Sequence, residues 1–428
     1  MPRSFPSLPS VRGIPSFLRH VGPGVVTGAA DDDPSGIATY TQAGAQFGTS
    51  VLWTVFLTIP FMIGIQLVSA RIGRQSGQGI AANLRRHTPK AFLIAIVALL
   101  LVANTINIAA DIAAMGEGLQ LIVGGGAHFH AVVFGVLTLL LQVFVPYRRL
   151  APILKWLTLT LFVYVAAAFT LHIPWAEVLH DLVLPEIVPS PAFWMMIVAI
   201  LGTTISPYLF FWQASQEVEE MRLQGVTAGG ESDATLRRAK NRMRADTIIG
   251  MTFSNGIAFF VMLTAALVLH RAGITEVTSA AQAAEALRPL AGEFAFTLFA
   301  LGIIATGLLA VPVLASSAAY AVAEAFGWVE GLEHRWRQAK GFYAIIGIAT
   351  IVGTGLDFTP IDPMKALYWS AIVNGVVAVP IMVAMMVLAG KPEVMGSLPV
   401  KRKTRFFGWG AVAVMAVAVA MMLWDLVR

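Results

Sequence analysis

The fold is decided by a short stretch near the start of the chain, Gly22-Pro-Gly-Val-Val-Thr-Gly-Ala-Ala-Asp-Asp-Asp-Pro-Ser-Gly36. It opens an apolar run that continues to Phe47 and is long enough to cross a bilayer. An Asp at the N-cap followed by Pro at the first helical position marks a helix start. Because Asp33-Pro34 places that start inside the run, the sequence predicts two half-helices joined by an unwound turn.

A second break of the same kind occurs five spans later, in Ile200-Leu-Gly-Thr-Thr-Ile-Ser-Pro-Tyr208. Here Ser206-Pro207 supplies the N-cap residue and the proline. Hydrophobic segments interrupted at corresponding places in two halves point to an inverted-repeat transporter with its site at the membrane midplane. Spans 1–5 and 6–10 would form the repeats, with span 11 appended.

The rest of the chain has the composition of a protein embedded in lipid. Of its 428 residues, 57% are hydrophobic and only 12% are charged, whereas soluble domains carry about 25% charged residues. Runs of about 20 apolar residues predict an all-α polytopic membrane protein of about eleven transmembrane helices. They lie near residues 22–48, 51–73, 91–123, 130–146, 150–172, 192–216, 246–270, 292–326, 340–356, 364–389 and 406–427.

The basic residues predict how these spans are oriented. With the N-terminus in the cytoplasm, all but four of the 29 Lys and Arg residues fall in cytoplasmic segments, as the positive-inside rule requires. The exceptions are Arg271, Arg288, Lys365 and Arg428. We therefore expect an integral plasma (inner) membrane protein with its C-terminus outside. The net charge of +5 is explained by these loops and does not indicate a nucleic-acid partner.

The spans divide the chain into five segments, and the polar stretch 217–245 is predicted to be a loop too short to form a domain of its own. The segments are a cytoplasmic N-terminal tail (1–21), the first five-helix repeat (22–172), an extracellular loop (173–191), the second five-helix repeat (192–389), and a loop with helix 11 (390–428).

An enzyme is not indicated. The chain contains no cysteine, which excludes thiol nucleophiles and zinc–thiolate sites. No His-Glu-x-x-His motif or Ser/His pair at catalytic spacing argues for intramembrane catalysis. No cofactor is expected.

The unwound turns indicate what the midplane site binds. Ala30 and Thr203 precede the two breaks and would present free backbone carbonyls. Carbonyl oxygens and the Asp33 carboxylate together make a site for a hard divalent cation. Asp33 could act only as an N-cap, but a mid-bilayer carboxylate costs roughly 2.5–3.5 kcal/mol, and a serine would cap without that cost. For Ser206, a plain cap and a ligand remain equally open.

Other polar residues inside the spans are candidates for the transport pathway. Asp111 in span 3 is favoured as a pathway residue, whereas Asn374 in span 10 could line the site or simply pack. Of Asp31 and Asp32, we expect one to face a water-filled vestibule and the other to pair within the bundle. For Asn107, an interhelical hydrogen bond and a more specific role are equally open.

These motifs resemble those of the NRAMP divalent-metal transporters, and the likeness is most specific in the first span. It is carried there by Gly22-Pro-Gly24, Asp33-Pro34 and Gln42-Ala-Gly-Ala-Gln-Phe-Gly48. More diffuse similarity lies in Gln66 with Ala70-Arg-Ile-Gly73 and Ser76-Gly77, and in Leu298-Phe-Ala-Leu-Gly-Ile-Ile-Ala-Thr-Gly307. The resemblance covers spans 1–10 in order and implies a LeuT-like fold of two inverted five-helix repeats.

The sequence departs from this family at most of the expected metal ligands. The family's Asp-Pro-Gly-Asn motif is Asp33-Pro-Ser-Gly36 here, so the Asn amide is lost. Its Met-Pro-His motif is Ser206-Pro-Tyr208, and a second His of the family matches Gln213. In span 3, an Asp and a Glu three residues apart correspond to Asp111 and Ala114.

These departures modify what the resemblance implies. Loss of the thioether favours Mg²⁺ or Mn²⁺ over softer metals, and loss of both histidines favours weak or absent proton coupling. The pattern resembles the NRAMP-related magnesium-transporter branch. The implied metal residues are Asp33, Ala30, Thr203, Ser206 and Gly36, with Asp111, Tyr208, Gln213, Asn374 and Asp32 along the pathway or around the site.

We therefore expect a secondary transporter that moves Mg²⁺ or Mn²⁺ by alternating access. Its expected partners are the divalent ion and the lipid bilayer, and no oligomeric state is predicted. One alternative is a proton-coupled importer of Mn²⁺ or Fe²⁺. Another is a LeuT-fold transporter of an organic solute, although a site carboxylate would repel a carboxylated substrate unless a cation lay alongside.

Overall fold

The computed structural model describes residues 23–145, 158–228, 232–396 and 399–428, and these ranges contain helices and no strand. The helices are α1 (Pro23–Asp31), α2 (Pro34–Phe47), α3 (Trp53–Ser76), α4 (Ile80–His87), α5 (Lys90–Val123), α6 (Ala127–Phe144), α7 (Phe162–Thr170), α8 (Trp175–Val183), α9 (Pro191–Thr204), α10 (Pro207–Leu223), α11 (Asp233–Ala265), α12 (Ala280–Ala284), α13 (Arg288–Ala291), α14 (Ala295–Phe326), α15 (Lys340–Leu356), α16 (Pro363–Leu388), α17 (Pro392–Met395) and α18 (Arg402–Val427).

The predicted spans are found in these helices. Within the described ranges, eight helical segments are long and apolar enough to cross a membrane. Two shorter apolar helices, at Leu159–Thr170 and Lys340–Leu356, correspond to spans 5 and 9. The pair α1 and α2 forms span 1, and α9 and α10 form span 6. The prediction of about eleven spans with breaks in the first and sixth is confirmed.

Hydrogen bonds between the connections confirm that successive spans run in opposite directions. On one face, Glu324 at the end of span 8 accepts from the amide of Ala82, after span 2, and from the Ser215 hydroxyl of span 6. On the opposite face, Gln42 of α2 bonds the Thr275 carbonyl after span 7. We call the first of these the basic face, because it carries the Arg-rich connections between spans 2 and 3 and between spans 6 and 7.

The connection between spans 6 and 7 differs from the prediction. Most of the predicted loop 217–245 is helical, because α10 extends to Leu223 and α11 begins at Asp233. Ser232 starts the second helix by accepting the Thr235 amide at 3.3 Å. The residues that follow are Arg-rich and mostly exposed. Hydropathy reports where a helix enters lipid, and it misses a helix that continues beyond the bilayer.

The segment 173–191, predicted to be a loop, contains the amphipathic helix α8. The predicted tail 1–21 lies outside the described residues.

Span 1 packs against span 7 through glycines, which brings the broken helix close to an unbroken one. A Cβ at Gly28 would overlap the backbone of Gly250, and a Cβ at Gly24 would lie 2.7 Å from the Thr247 amide nitrogen. Small residues of this kind let helix backbones approach closely within a membrane. The unwound turn that follows Asp31 is therefore held against a rigid neighbour.

We expect Gly28→Ala to destabilise the protein by about 1–3 kcal/mol, since overpacking at a close backbone contact costs that much or more. The matched control is Gly256→Ala on span 7, where a Cβ would meet nothing within 4 Å. Thermal unfolding of both variants in detergent provides the comparison. Equal melting temperatures would contradict the close packing of spans 1 and 7.

Candidate functional site

The two helix breaks lie side by side. Asp33 has an extended backbone (φ −71°, ψ 171°) and accepts the Gly36 amide at 2.7 Å, which starts α2 at the following proline. In span 6, α9 ends at Thr204 and α10 begins at Pro207. The Tyr208 hydroxyl then crosses between the spans and donates to the Ala30 carbonyl at 2.8 Å. The residue patterns that predicted each break therefore also bring the breaks together.

Asp33 is buried and is held from two sides. Its Oδ1 accepts the Gly36 amide, and its Oδ2 accepts Nδ2 of Asn107 on span 3 at 2.9 Å. The Ser370 hydroxyl of span 10 donates to Asn107 Oδ1 at 2.7 Å, and Ser35 Oγ lies 3.0 Å from Ser370 Oγ. Spans 1, 3 and 10 thus fix the orientation of one carboxylate.

Asp31 and Asp32 share one partner on span 7. The Ser254 hydroxyl lies 2.6 Å from Asp31 Oδ2 and 3.1 Å from Asp32 Oδ1. Both side chains are at most 1% exposed, so the expectation that one of them faces a vestibule is wrong. The glycine contacts of span 1 explain this burial, because they press the end of α1 against span 7.

Asp111 completes a group of four buried carboxylates. It lies close to the charge of Asp33 and to the backbone of Ser35, and neither of its oxygens has a hydrogen-bond partner among the described residues. No ion pair within the described ranges joins any of the four to a basic side chain. Buried carboxylates of this kind are costly unless a positive charge compensates them. The arrangement attracts cations.

Ser206 is placed at the start of α10, but it does not cap that helix. Its hydroxyl makes no cap hydrogen bond and donates backwards to the carbonyls of Gly202 and Thr203 at 2.8 and 2.7 Å. The reading of Ser206 as a plain cap is therefore wrong. A serine can satisfy carbonyls of the preceding turn as readily as amides of the following one, and here the first helix ends with carbonyls to spare.

Gly36 lies where the two breaks are closest. A Cβ at this position would lie 3.0 Å from Thr203 Oγ1 and 3.3 Å from the Asp31 carbonyl oxygen. Any side chain here would have to displace one of these oxygens. The backbone of the break and the threonine hydroxyl thus take up the room beside residue 36.

The remaining predicted pathway residues are spread along the spans. Tyr208 belongs to the group around Asp33, through its bond to Ala30. Gln213 does not belong to it, because its amide donates to Thr247, which packs against the start of α1. Asn374 is buried one helical turn after Ser370, and its Oδ1 has no partner in the described part of the chain.

A cavity of about 410 Å³ runs beside α2 on the face opposite the basic one. Its polar lining includes Gln42 and Gln46 of α2, Glu276 of the connection after span 7, and Lys365 and Tyr368 of span 10. It reaches Ala38 of α2, four residues after the proline that starts this helix. With Asp33 only 3% exposed, the carboxylates are closed off from this cavity.

Comparison with known proteins identifies the group to which this architecture belongs. Residues 24–425 match the Nramp family, described as Natural resistance-associated macrophage protein-like. The chain belongs to the Nramp family. It is therefore an integral membrane transporter, in agreement with the resemblance that its first span suggested.

Two further Nramp comparisons cover nearly the whole chain. The divalent metal cation transporter MntH of Klebsiella pneumoniae is 28% identical over 93% of this chain and 92% of its own length. The crystal structure of the Eremococcus coleocola manganese transporter in complex with an aromatic bis-isothiourea substituted compound superposes with a TM-score of 0.71 at 17% identity. That match covers 95% of this chain and 87% of the other.

The helix arrangement also extends beyond the Nramp family. Mhp1, a nucleobase-cation-symport-1 family transporter in a closed conformation, matches with a TM-score of 0.50 at 14% identity, over 95% of this chain and 92% of its own. The likeness is one of fold, and it agrees with the predicted LeuT-like architecture.

Sequence reasoning missed several residues of this Nramp site. Asn107 had been weighed only as a helix-packing residue, and the hydroxyls of Ser35, Ser254 and Ser370 were not considered. One available signal was the spacing of Asn107 and Asp111, four residues apart and therefore on one helical face. The serines gave no signal, since single hydroxyls occur in many spans.

Proposed function

We propose that this protein moves a divalent cation, Mn²⁺ or Mg²⁺, across the membrane by alternating access, with Asp33 as the charged ligand. The observation that carries this proposal is the group of four buried carboxylates with no ion pair to a basic side chain among the described residues. An anionic or carboxylated organic solute would be repelled there, and a divalent cation would be attracted.

The donors around Asp33 are oxygens. Within the described ranges, no three His, Asp or Glu side chains converge to hold a metal ion. Further ligands would therefore be the carbonyls of Ala30 and Thr203, the Ser206 hydroxyl and water. Such a set suits Mg²⁺, Ca²⁺ and Mn²⁺, and retained water suits Mg²⁺ in particular. The names of the relatives point to manganese, so both ions are proposed as substrates.

The position of the site supports alternating access. Asp33 lies between the α2 cavity and the basic face and is open to neither. We propose that the basic face is cytoplasmic, in accord with the positive-inside rule. The α2 cavity would then be the outer entrance, and the ends of spans 2, 6 and 8 would close the inner exit.

Uptake into proteoliposomes tests the proposal. Vesicles that contain the purified protein would be given Mn²⁺, Mg²⁺ or Ca²⁺, and internal dyes would report ion entry against protein-free vesicles. Saturable entry of Mn²⁺ or Mg²⁺ is expected. If no divalent ion enters, and an amino acid or nucleobase does, the organic-solute alternative would replace this proposal.

Ser206 is proposed to set ion preference, because it lies in the sixth-span break, bonded to the Thr203 carbonyl. We expect Ser206→Met to raise Cd²⁺ affinity relative to Mg²⁺ at least tenfold, since thioether sulfur prefers softer metals. Isothermal titration of both ions would measure the ratio. The control is Ser206→Leu, which has a similar size and no sulfur. Equal ratios in the two variants would mean that Ser206 serves only to tie the turn.

A further inference from the structure

Asn107 faces Asp33 with a geometry that fits a cation site. Its Nδ2 lies 2.9 Å from Asp33 Oδ2, and the residue is fully buried. In an octahedral site with ligands at about 2.1 Å, two neighbouring ligands lie about 3.0 Å apart. The amide therefore already stands at the distance from the carboxylate that a second ligand would take.

The hydrogen bonds around Asn107 allow its amide to turn over. Ser370 donates to Asn107 Oδ1 at 2.7 Å, but the Leu367 carbonyl lies equally close to the same hydroxyl. If the hydroxyl turns to Leu367, it leaves a lone pair that can accept the amide NH₂ group. Both orientations of the amide are thus satisfied on the Ser370 side.

A cation would favour the second orientation. Without one, the NH₂ group faces Asp33 and satisfies the carboxylate. With a cation beside Asp33, the positive end of the amide dipole is repelled and the carbonyl oxygen is attracted. Amide oxygens are regular ligands of hard divalent ions.

We propose that Asn107 is a ligand of the transported cation, and that its amide turns from donor to Asp33 into an oxygen ligand when the ion binds. This inference rests on the proposed function. It also accounts for the absence of a side chain at Gly36, because the missing amide of the first span would be replaced by one from span 3. Exchange between the two orientations needs no backbone movement.

The test uses the complete absence of native cysteine. Asn107→Cys brings a soft sulfur to the site, and we expect it to raise the ratio of Cd²⁺ to Mn²⁺ affinity at least tenfold in isothermal titration of the full-length protein. The matched control is Asn104→Cys. Asn104 is equally buried on the same helix, but it donates to the Leu314 carbonyl at 2.9 Å. Its ratio should stay unchanged.

A second variant separates a ligand from a residue that only positions Asp33. Asn107→Asp loses the donor but offers an anionic oxygen, so Mn²⁺ affinity should be kept or raised if residue 107 binds the ion. A loss of affinity in Asn107→Asp, or an unchanged ratio in Asn107→Cys, would overturn the inference. Wild-type protein that binds no divalent cation would instead overturn the proposed function.

Discussion

Replacement of Asp33 by alanine should reduce divalent-cation uptake at least a hundredfold. Asp33 is the carboxylate at which the contacts from spans 1, 3 and 10 converge, and it starts the second half-helix of span 1. Its removal takes away both the charge that attracts the ion and the anchor for Asn107. Uptake of Mn²⁺ and Mg²⁺ into proteoliposomes, at equal protein content, is the measurement.

Two variants separate the charge of Asp33 from its capping bond. Asn at this position still accepts the Gly36 amide but carries no charge, so Asp33→Asn should fold normally and transport as poorly as Asp33→Ala. The matched control is Asp362, which precedes Pro363 and accepts the amides of Met364 and Lys365 at the start of span 10. Asp362→Ala should lose about 1 kcal/mol of stability and keep its transport.

The outcome for Asp33→Asn decides between the two roles. Transport close to wild type in this variant would show that Asp33 is only an N-cap, and the central proposal would fall. Equal loss in Asp33→Asn and Asp362→Ala would indicate a general folding defect instead.

The broken spans could be predicted because their cause is local. Asp33-Pro34 and Ser206-Pro207 each start a helix through backbone restrictions that act over a few residues, and hydropathy places both inside the bilayer. The number of spans could be predicted for the same reason, since each span is an uninterrupted apolar run. Where helices continue past the bilayer, as α11 does, hydropathy gives no signal.

The partners of the site could not be predicted, because they are chosen by packing between distant spans. Ser254 meets Asp31 across 223 positions of sequence, and Ser370 meets Asn107 across 263. Ser206 shows a different limit. Its position was correct, yet its hydroxyl had two local acceptors that compete with the cap, and composition alone does not rank such alternatives.

Proton coupling is expected to be weak or absent, because the side chains that could exchange protons during the cycle are missing. Such a group must bind and release a proton near neutral pH, as histidine does. Tyr208 and Gln213 occupy the places where the resemblance implies histidine, and they are engaged with Ala30 and Thr247. Ala114 occupies the place of the expected glutamate.

The four carboxylates do not readily replace these groups. Asp33 should stay ionised while it holds a cation, since the opposite charge favours the ionised form. Asp31 and Asp32 are held together on Ser254, away from both entrances. Protons that remain bound there throughout the cycle contribute no flux. Asp111 would then have to relay protons alone, although no hydrogen-bonded partner among the described residues leads from it.

We therefore expect metal flux down the electrochemical gradient with little or no acidification of the vesicle interior. Liposomes loaded with both a metal-sensitive and a pH-sensitive dye, with the membrane potential clamped, would record the two fluxes together. Protein-free liposomes with a divalent-cation ionophore provide the baseline for passive entry. Acidification in fixed proportion to metal entry would contradict the prediction. Its loss in Asp111→Asn would then identify Asp111 as the group that replaces the missing histidines.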